Sequence, residues 1–223
     1  MKLNTETIRR RTIQAFSPGI LSRIFAGWPP GKPSSATTRS GTKTNENIIW
    51  RKQMRKKCKM ISLDTSSTIT GYAYFENAKY INSDIICCNK EKDIYIRVEN
   101  MCFRIIDELK RHKPDIVVVE KPPYCNDAET LILLSEIVGS VRGWAITEGF
   151  AEYVEYSPNR WRRLVADKDE KIPTKRNLCK PWDMEKAQAI IKRKPIDDNE
   201  ADAVLIGIAR INEMKSYQKQ EGS

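Results

Sequence analysis

The chain has a single histidine, His112, and its six cysteines, at 58, 87, 88, 102, 125 and 179, show no CxxC pairing. A structural zinc site is therefore not expected, and the thiols suit a reducing, cytoplasmic compartment, bacterial or that of a phage-infected host. No apolar run is long enough to span a membrane, and the start lacks the continuous apolar core of a secretion signal, so no membrane partner is expected. No Gly-Gly pair is present, and the length of 223 residues leaves no room for the two domains of an actin-like ATPase or sugar kinase. Acids are scarce at the start: residues 1–59 hold 14 Lys plus Arg against 2 acids, a charge of +12. The whole chain carries +10, so residues 60–223, with 25 against 27, carry −2.

That partition changes what the basic balance means. The excess belongs to a stretch rich in Ser, Thr, Pro, Gly and Arg, which cannot bury enough apolar surface to fold alone. Residues 1–59 read as a basic, disordered extension. They suit a DNA-binding arm, a transit segment, or a start placed too early, since Met54 and Met60 both precede the first strand. Residues 60–215 are of ordinary size for one domain with a sufficient core, and residues 216–223 read as a polar tail.

Within the domain, four carboxylates stand where a divalent-metal nuclease needs them. Asp64 lies in an apolar run, Lys59-Met-Ile-Ser-Leu-Asp, before a Ser/Thr cluster and a second run, Gly71-Tyr-Ala-Tyr-Phe75, which together read as a hairpin. Glu120 ends the β-branched run Ile116-Val-Val-Val, the pattern of a strand covered on both faces, and Pro122-Pro cannot continue the ladder. Asp198 and Asp202 stand at i and i+4 on one face of a helix that continues Ala-Val-Leu-Ile-Gly-Ile-Ala. Each has an ordinary alternative as a turn, cap or dipole-satisfying acid. Asp202 and Glu120 are harder to explain so, because an unpaired carboxylate close to apolar surface is costly without a cation.

Periodicity predicts a three-strand meander over 60–87, helices over 92–111 and 127–149, strands over 115–120 and 151–156, and helices over 182–193 and 198–215. Strands first and then alternation with helices argue for an α/β domain.

The segments Leu63-Asp-Thr-Ser-Ser-Thr-Ile-Thr-Gly-Tyr, Val117-Val-Val-Glu120, Gly139-Ser-Val-Arg-Gly-Trp-Ala-Ile, Ser157-Pro-Asn-Arg-Trp161, Glu185-Lys-Ala-Gln188 and Asp198-Asn-Glu-Ala-Asp202-Ala follow one another in a specific order. In this the chain resembles the RuvC-like crossover junction endodeoxyribonucleases, the Holliday junction resolvases, especially those of phages and prophages, over residues 60–212. The resemblance implies a ribonuclease H-like α/β fold with a five-stranded mixed sheet flanked by helices on both faces. It implies metal-assisted phosphodiester hydrolysis with two Mg²⁺ about 3.5–4 Å apart, Mn²⁺ substituting, held by Asp64, Glu120, Asp198 and Asp202. Bacterial members space the last two acids three apart. Here position 199 is Asn, so the ligand is Asp198 or its neighbour Asp197, with Asp198 fitting the phage-type spacing. Lys186 resembles a family lysine that meets the scissile phosphate, although a surface lysine is the ordinary alternative. A homodimer acting on a four-way DNA junction follows from the same resemblance and from the two-fold symmetry of that substrate. Neither a helicase partner nor a cleavage sequence is written in these residues.

Arg160, Arg162, Arg163, Lys175, Arg176 and Lys180, interleaved with Trp161 and Trp182, form the candidate phosphate-backbone contacts. A solvated loop with packing tryptophans is the plainer alternative. Tyr124, in the loop after Glu120, is placed to stack on a base at a branch point or simply to be half-buried. Flap or branched DNA, an RNA–DNA hybrid, or junction binding without catalysis remain as other functions, since substrate choice resides in loops and assembly.

Overall fold

The computed structural model describes residues 58–122, 127–149 and 151–221. The alternating apolar runs form an antiparallel meander, β1 (Lys59–Asp64), β2 (Ile69–Glu76) and β3 (Lys79–Cys87). Asn77 and Ala78, with φ of 52° and 60°, make the two-residue turn between β2 and β3. Two consecutive positive φ values give a turn whose twist matches that of the flanking strands.

The chain then alternates: α1 (Ile94–His112), β4 (Ile116–Glu120), α2 (Ala128–Trp144) with a π-helical turn at Ala145–Gly149, and β5 (Glu152–Tyr156). Three helices close it, α3 (Pro158–Val165), α4 (Arg176–Ile191) and α5 (Asp198–Glu221). The five strands lie in the order β3-β2-β1-β4-β5, with β4 and β5 parallel to β1. This is the five-stranded mixed sheet expected.

Period-two alternation sorts the strand residues into two cores. Ile61, Leu63, Val117 and Val119 pack under α1 and α2 with Met101, Ile105, Leu133 and Ile137. Met60, Phe75, Ile116 and Val118 pack under α3, α4 and α5 with Trp161, Ala187, Val204 and Leu205. The same alternation directs Asp64 and Glu120, the last residues of β1 and β4, toward the second of these layers.

Several boundaries differ from the sequence reading. The helix at Pro158–Val165 was not foreseen as an element, and Pro fits its first position because that N–H has no helical partner anyway. α4 begins at Arg176 rather than 182 and contains Pro181, which forfeits one bond to the first helical turn. α5 continues to Glu221, so most of the expected polar tail is helical. Ala128–Gly149, 22 residues, is long and apolar enough on average to cross a membrane, contrary to the reading from continuous runs. Polar residues interrupt it in sequence, while Leu133, Ile137, Val138, Val141 and Trp144 bury one face of it in the first layer.

Candidate metal centre

Asp64 and Glu120 meet because β1 and β4 are parallel neighbours. Leu63 is in register with Val119, so the next residue of each strand brings its carboxylate to the same edge of the sheet. α5 crosses that edge. Its approach depends on Gly71, the partner of Asp64 across β1 and β2, where an added Cβ would overlap the Asn199 carbonyl. The Ser62 hydroxyl, buried two residues before Asp64, donates to the Ala203 carbonyl at 2.6 Å. One strand–helix bond thus sets Asp202 against Asp64.

The electrostatics follow from this convergence. Burial raises the Asp64 carboxyl well above the usual range, Glu120 and Asp197 raise it further, and Lys180 and Arg162 oppose them. Burial does the same at Asp202, with Asp64, Asp183 and Glu120 adding to it against Arg162. Burial also raises Glu120, offset by the Trp161 indole N–H, which donates to Glu120 Oε2 at 2.6 Å. Burial that penalises clustered carboxylates is relieved by protonation or by a cation.

The first turn of α5 divides the neighbouring acids. Asp197 accepts the Glu200 amide at 2.9 Å and the Asn199 side chain at 3.0 Å, so it caps the helix while its charge reaches Asp64. Asp198 is ion-paired with Lys180. Glu200, fully buried, is held by Arg193 and accepts from the Ser83 hydroxyl and the Ile196 amide, each at 2.6 Å. That network pins the entrance of α5 to β3.

A fifth carboxylate was missed in the sequence. Asp183, on α4, is fully buried and takes a forked set of bonds from Arg162, with Nε at 3.0 Å from Oδ1 and Nη2 at 2.7 Å from Oδ2. Its charge also reaches Asp202, whose carboxyl it helps to raise. The signal was available: Cys179, Asp183 and Ala187 recur every four residues, and all three are buried.

Other expected site residues fall elsewhere. Arg162, read as a DNA contact, is turned inward onto Asp183 with its guanidinium 4.3 Å above the Trp161 ring. Trp161 is fully buried, the packing residue of the plainer reading. Lys186, expected at the scissile phosphate, is bound by Asp167 and Glu170, each at 2.7 Å. Lys180 is instead the lysine whose charge reaches Asp64 and Asp183. Arg160 pairs with Glu213 at 2.6 Å over the Tyr156 ring, with its side chain 57% exposed. Arg163 and Lys175 are exposed. Tyr124 and the Arg176 side chain lie outside the described residues.

The donor set fits Mg²⁺ or Mn²⁺. It is all oxygen, and Asp202 Oδ1 is buried without a hydrogen-bond partner. Among the described residues no three acidic, His or Cys side chains already enclose a coordination shell. Mg²⁺ does not require one, because it keeps several waters and takes few protein ligands.

No family model matches this sequence, and no curated protein does. Solved structures do match in fold. Thermus thermophilus RuvC in complex with a Holliday junction substrate superposes with a TM-score of 0.56 at 17% identity, covering 71% of this chain and 96% of that one. Thermus thermophilus RuvC from a second structure gives 0.56 at 16%, over 71% and 96%. A Fowlpox virus resolvase in complex with substrate Holliday junction DNA gives 0.49 at 16%, over 70% and 98%. With its sheet order, its helical layers and the carboxylates at the ends of β1 and β4, the chain has the ribonuclease H-like α/β fold of Thermus thermophilus RuvC.

Proposed function

We propose that the chain is a RuvC-like, divalent-metal-dependent endonuclease that cuts phosphodiester bonds at four-way DNA junctions. One observation carries this reading: Asp64, Glu120 and Asp202 converge from two parallel strands and a crossing helix, and none forms an ion pair among the described residues. Asp183 and Asp198, their neighbours, each have a cation. The uncompensated three are the ones a metal would use, with Asp197 or Asp198 completing the set.

Two Mg²⁺, or Mn²⁺ in their place, would when bound polarise the scissile phosphate and offset charge on the attacking and leaving oxygens. Asp64, whose charge acts on Asp202 and is acted on by that of Glu120, would be the ligand shared by the two ions. Trp161 keeps Glu120 oriented and favours its charged form. Exposed Arg163 and Lys175 supply contacts to the phosphate backbone, and a two-fold junction calls for a second copy of the chain.

The test is cleavage of an immobile synthetic four-way junction in Mg²⁺, beside matched duplex, flap and RNA–DNA substrates, with Asp64→Asn as control. Paired symmetric nicks in the junction, lost in Asp64→Asn, support the reading. Cutting of the flap or hybrid instead replaces the substrate while keeping the metal chemistry. Tight junction binding with no cutting overturns the enzyme.

A further inference from the structure

Arg162 poses a problem for a metal centre. Its guanidinium lies close enough to act on both Asp64 and Asp202, the carboxylates with no ion pair of their own, and a free arginine there would take the place of an ion. Its fork is nevertheless committed elsewhere: Nε lies 3.0 and 3.2 Å from the two oxygens of Asp183, and Nη2 lies 2.7 Å from Oδ2. A bidentate, charge-assisted fork is the geometry in which arginine binds a carboxylate most specifically. The Asp183 side chain is 1% exposed, that of Arg162 14%. Trp161, directly under the guanidinium at 4.3 Å, holds the plane of the fork.

Resting on the metal reading above, we propose that Asp183 is a positioning residue: it acts as the resident counterion of Arg162, keeps that guanidinium off Asp202, and leaves Asp202 Oδ1 open for a metal ion. Asp202 Oδ1 is buried and unbonded while a guanidinium stands nearby, which is the arrangement such a counterion produces. α3 and α4 thereby act on the centre together, through one ion pair.

The experiment is Mn²⁺ binding to the full-length protein without DNA, followed by the electron paramagnetic resonance of free Mn²⁺ and by calorimetry. Wild type, Asp202→Asn, Asp183→Asn and the double variant Arg162→Met with Asp183→Asn are compared. Asp183→Asn frees Arg162 to bond Asp202 and is expected to weaken Mn²⁺ binding about tenfold, the usual scale for a residue that orients a ligand. The double variant removes the competitor as well, and its Mn²⁺ affinity is expected to return to within about threefold of wild type on the same scale. Affinity unchanged in Asp183→Asn overturns the inference. So does a double variant as weak as the single one, because the carboxylate itself would then be needed. Should Asp183→Asn fail to fold, the double variant decides alone, since a buried pair removed as a whole leaves no uncompensated charge. Wild type that binds no Mn²⁺, with Asp202→Asn indistinguishable from it, overturns the metal reading and this inference with it.

Discussion

At the scale of single residues, Trp161 joins packing to chemistry. It fills the layer under α3 and also donates the bond that favours a charged Glu120. Trp161→Phe keeps most of the volume and removes the donor. The unsatisfied carboxylate is expected to cost about 1–3 kcal/mol of stability in urea unfolding. The Glu120 carboxyl should rise further, so the acid limb of the pH–rate profile should move to higher pH; an unmoved limb would show that cutting does not require ionised Glu120. Lys186 and Lys180 give a second contrast. Because Asp167 and Glu170 hold Lys186 while Lys180 acts on Asp64 and Asp183, Lys180→Met is expected to lower the cleavage rate more than Lys186→Met does. Single-turnover rates on the junction would rank them, and the reverse order would restore Lys186 to the chemistry.

At the scale of elements, the close approach of α5 to the sheet is the feature that assembles the centre. Gly71→Ala would drive a methyl group into the Asn199 carbonyl. Backbone shifts of this kind cost roughly 1–3 kcal/mol, and the same shift would separate Asp202 from Asp64. Urea midpoint and cleavage rate are therefore expected to fall together, with the rate falling further than the loss of folded protein explains. The strands that carry Asp64 and Glu120 were legible in the sequence because apolar runs with β-branched residues end abruptly in Ser/Thr or Pro there. α3 was overlooked although Ser157-Pro158 is a helix start and its eight residues segregate apolar from charged side chains, because two turns with three arginines read as a solvated loop. Asp183 escaped for a related reason. The segment from 166 to 185 is dense in charge, which reads as solvated surface, and burial of one acid in it depends on Arg162 arriving from another helix. Arg162 was misread by the same logic, as a phosphate contact instead of an internal one. The register that makes neighbours of Asp64 and Glu120 is a property of strand pairing, which no local pattern in either segment encodes.

At the scale of the whole molecule, the raised carboxyls at Asp64 and Asp202 make stability depend on pH in a definite sense. A carboxyl whose folded value lies above its unfolded one binds its proton more tightly in the folded state. Its stabilising effect is complete below the unfolded value, near 4, and is lost as pH rises through the folded value. Metal-free protein should therefore lose melting temperature as pH rises from about 4 toward neutrality, and saturating Mg²⁺ should flatten that fall. Asp64→Asn should flatten it without metal. Glu200 and Glu213, held low chiefly by Arg193 and by Tyr156 with Arg160 and Arg210 respectively, act oppositely and lose their contribution as pH falls below the ordinary carboxylate range. A melting temperature indifferent to pH above 4 in the metal-free protein would contradict the electrostatics of the centre. Junction binding should be salt-dependent through the exposed cations, so Arg163→Ala and Lys175→Ala should each reduce the slope of log affinity against log salt by about 1.

The contact at Gly71 and the bond from Ser62 to Ala203 act in opposite directions on one distance. Backbone against backbone resists compression, and the buried hydroxyl bond resists opening. The gap between sheet and α5 is consequently a gauge of fixed width. An ion bound as proposed would meet that stiff frame: Mg²⁺, which keeps several waters and takes few protein ligands, suits it, whereas Ca²⁺, which takes more ligands at longer distances, would have to stretch it. Discrimination between ions of equal charge would then come from the mechanical stiffness of the scaffold, with no residue dedicated to it.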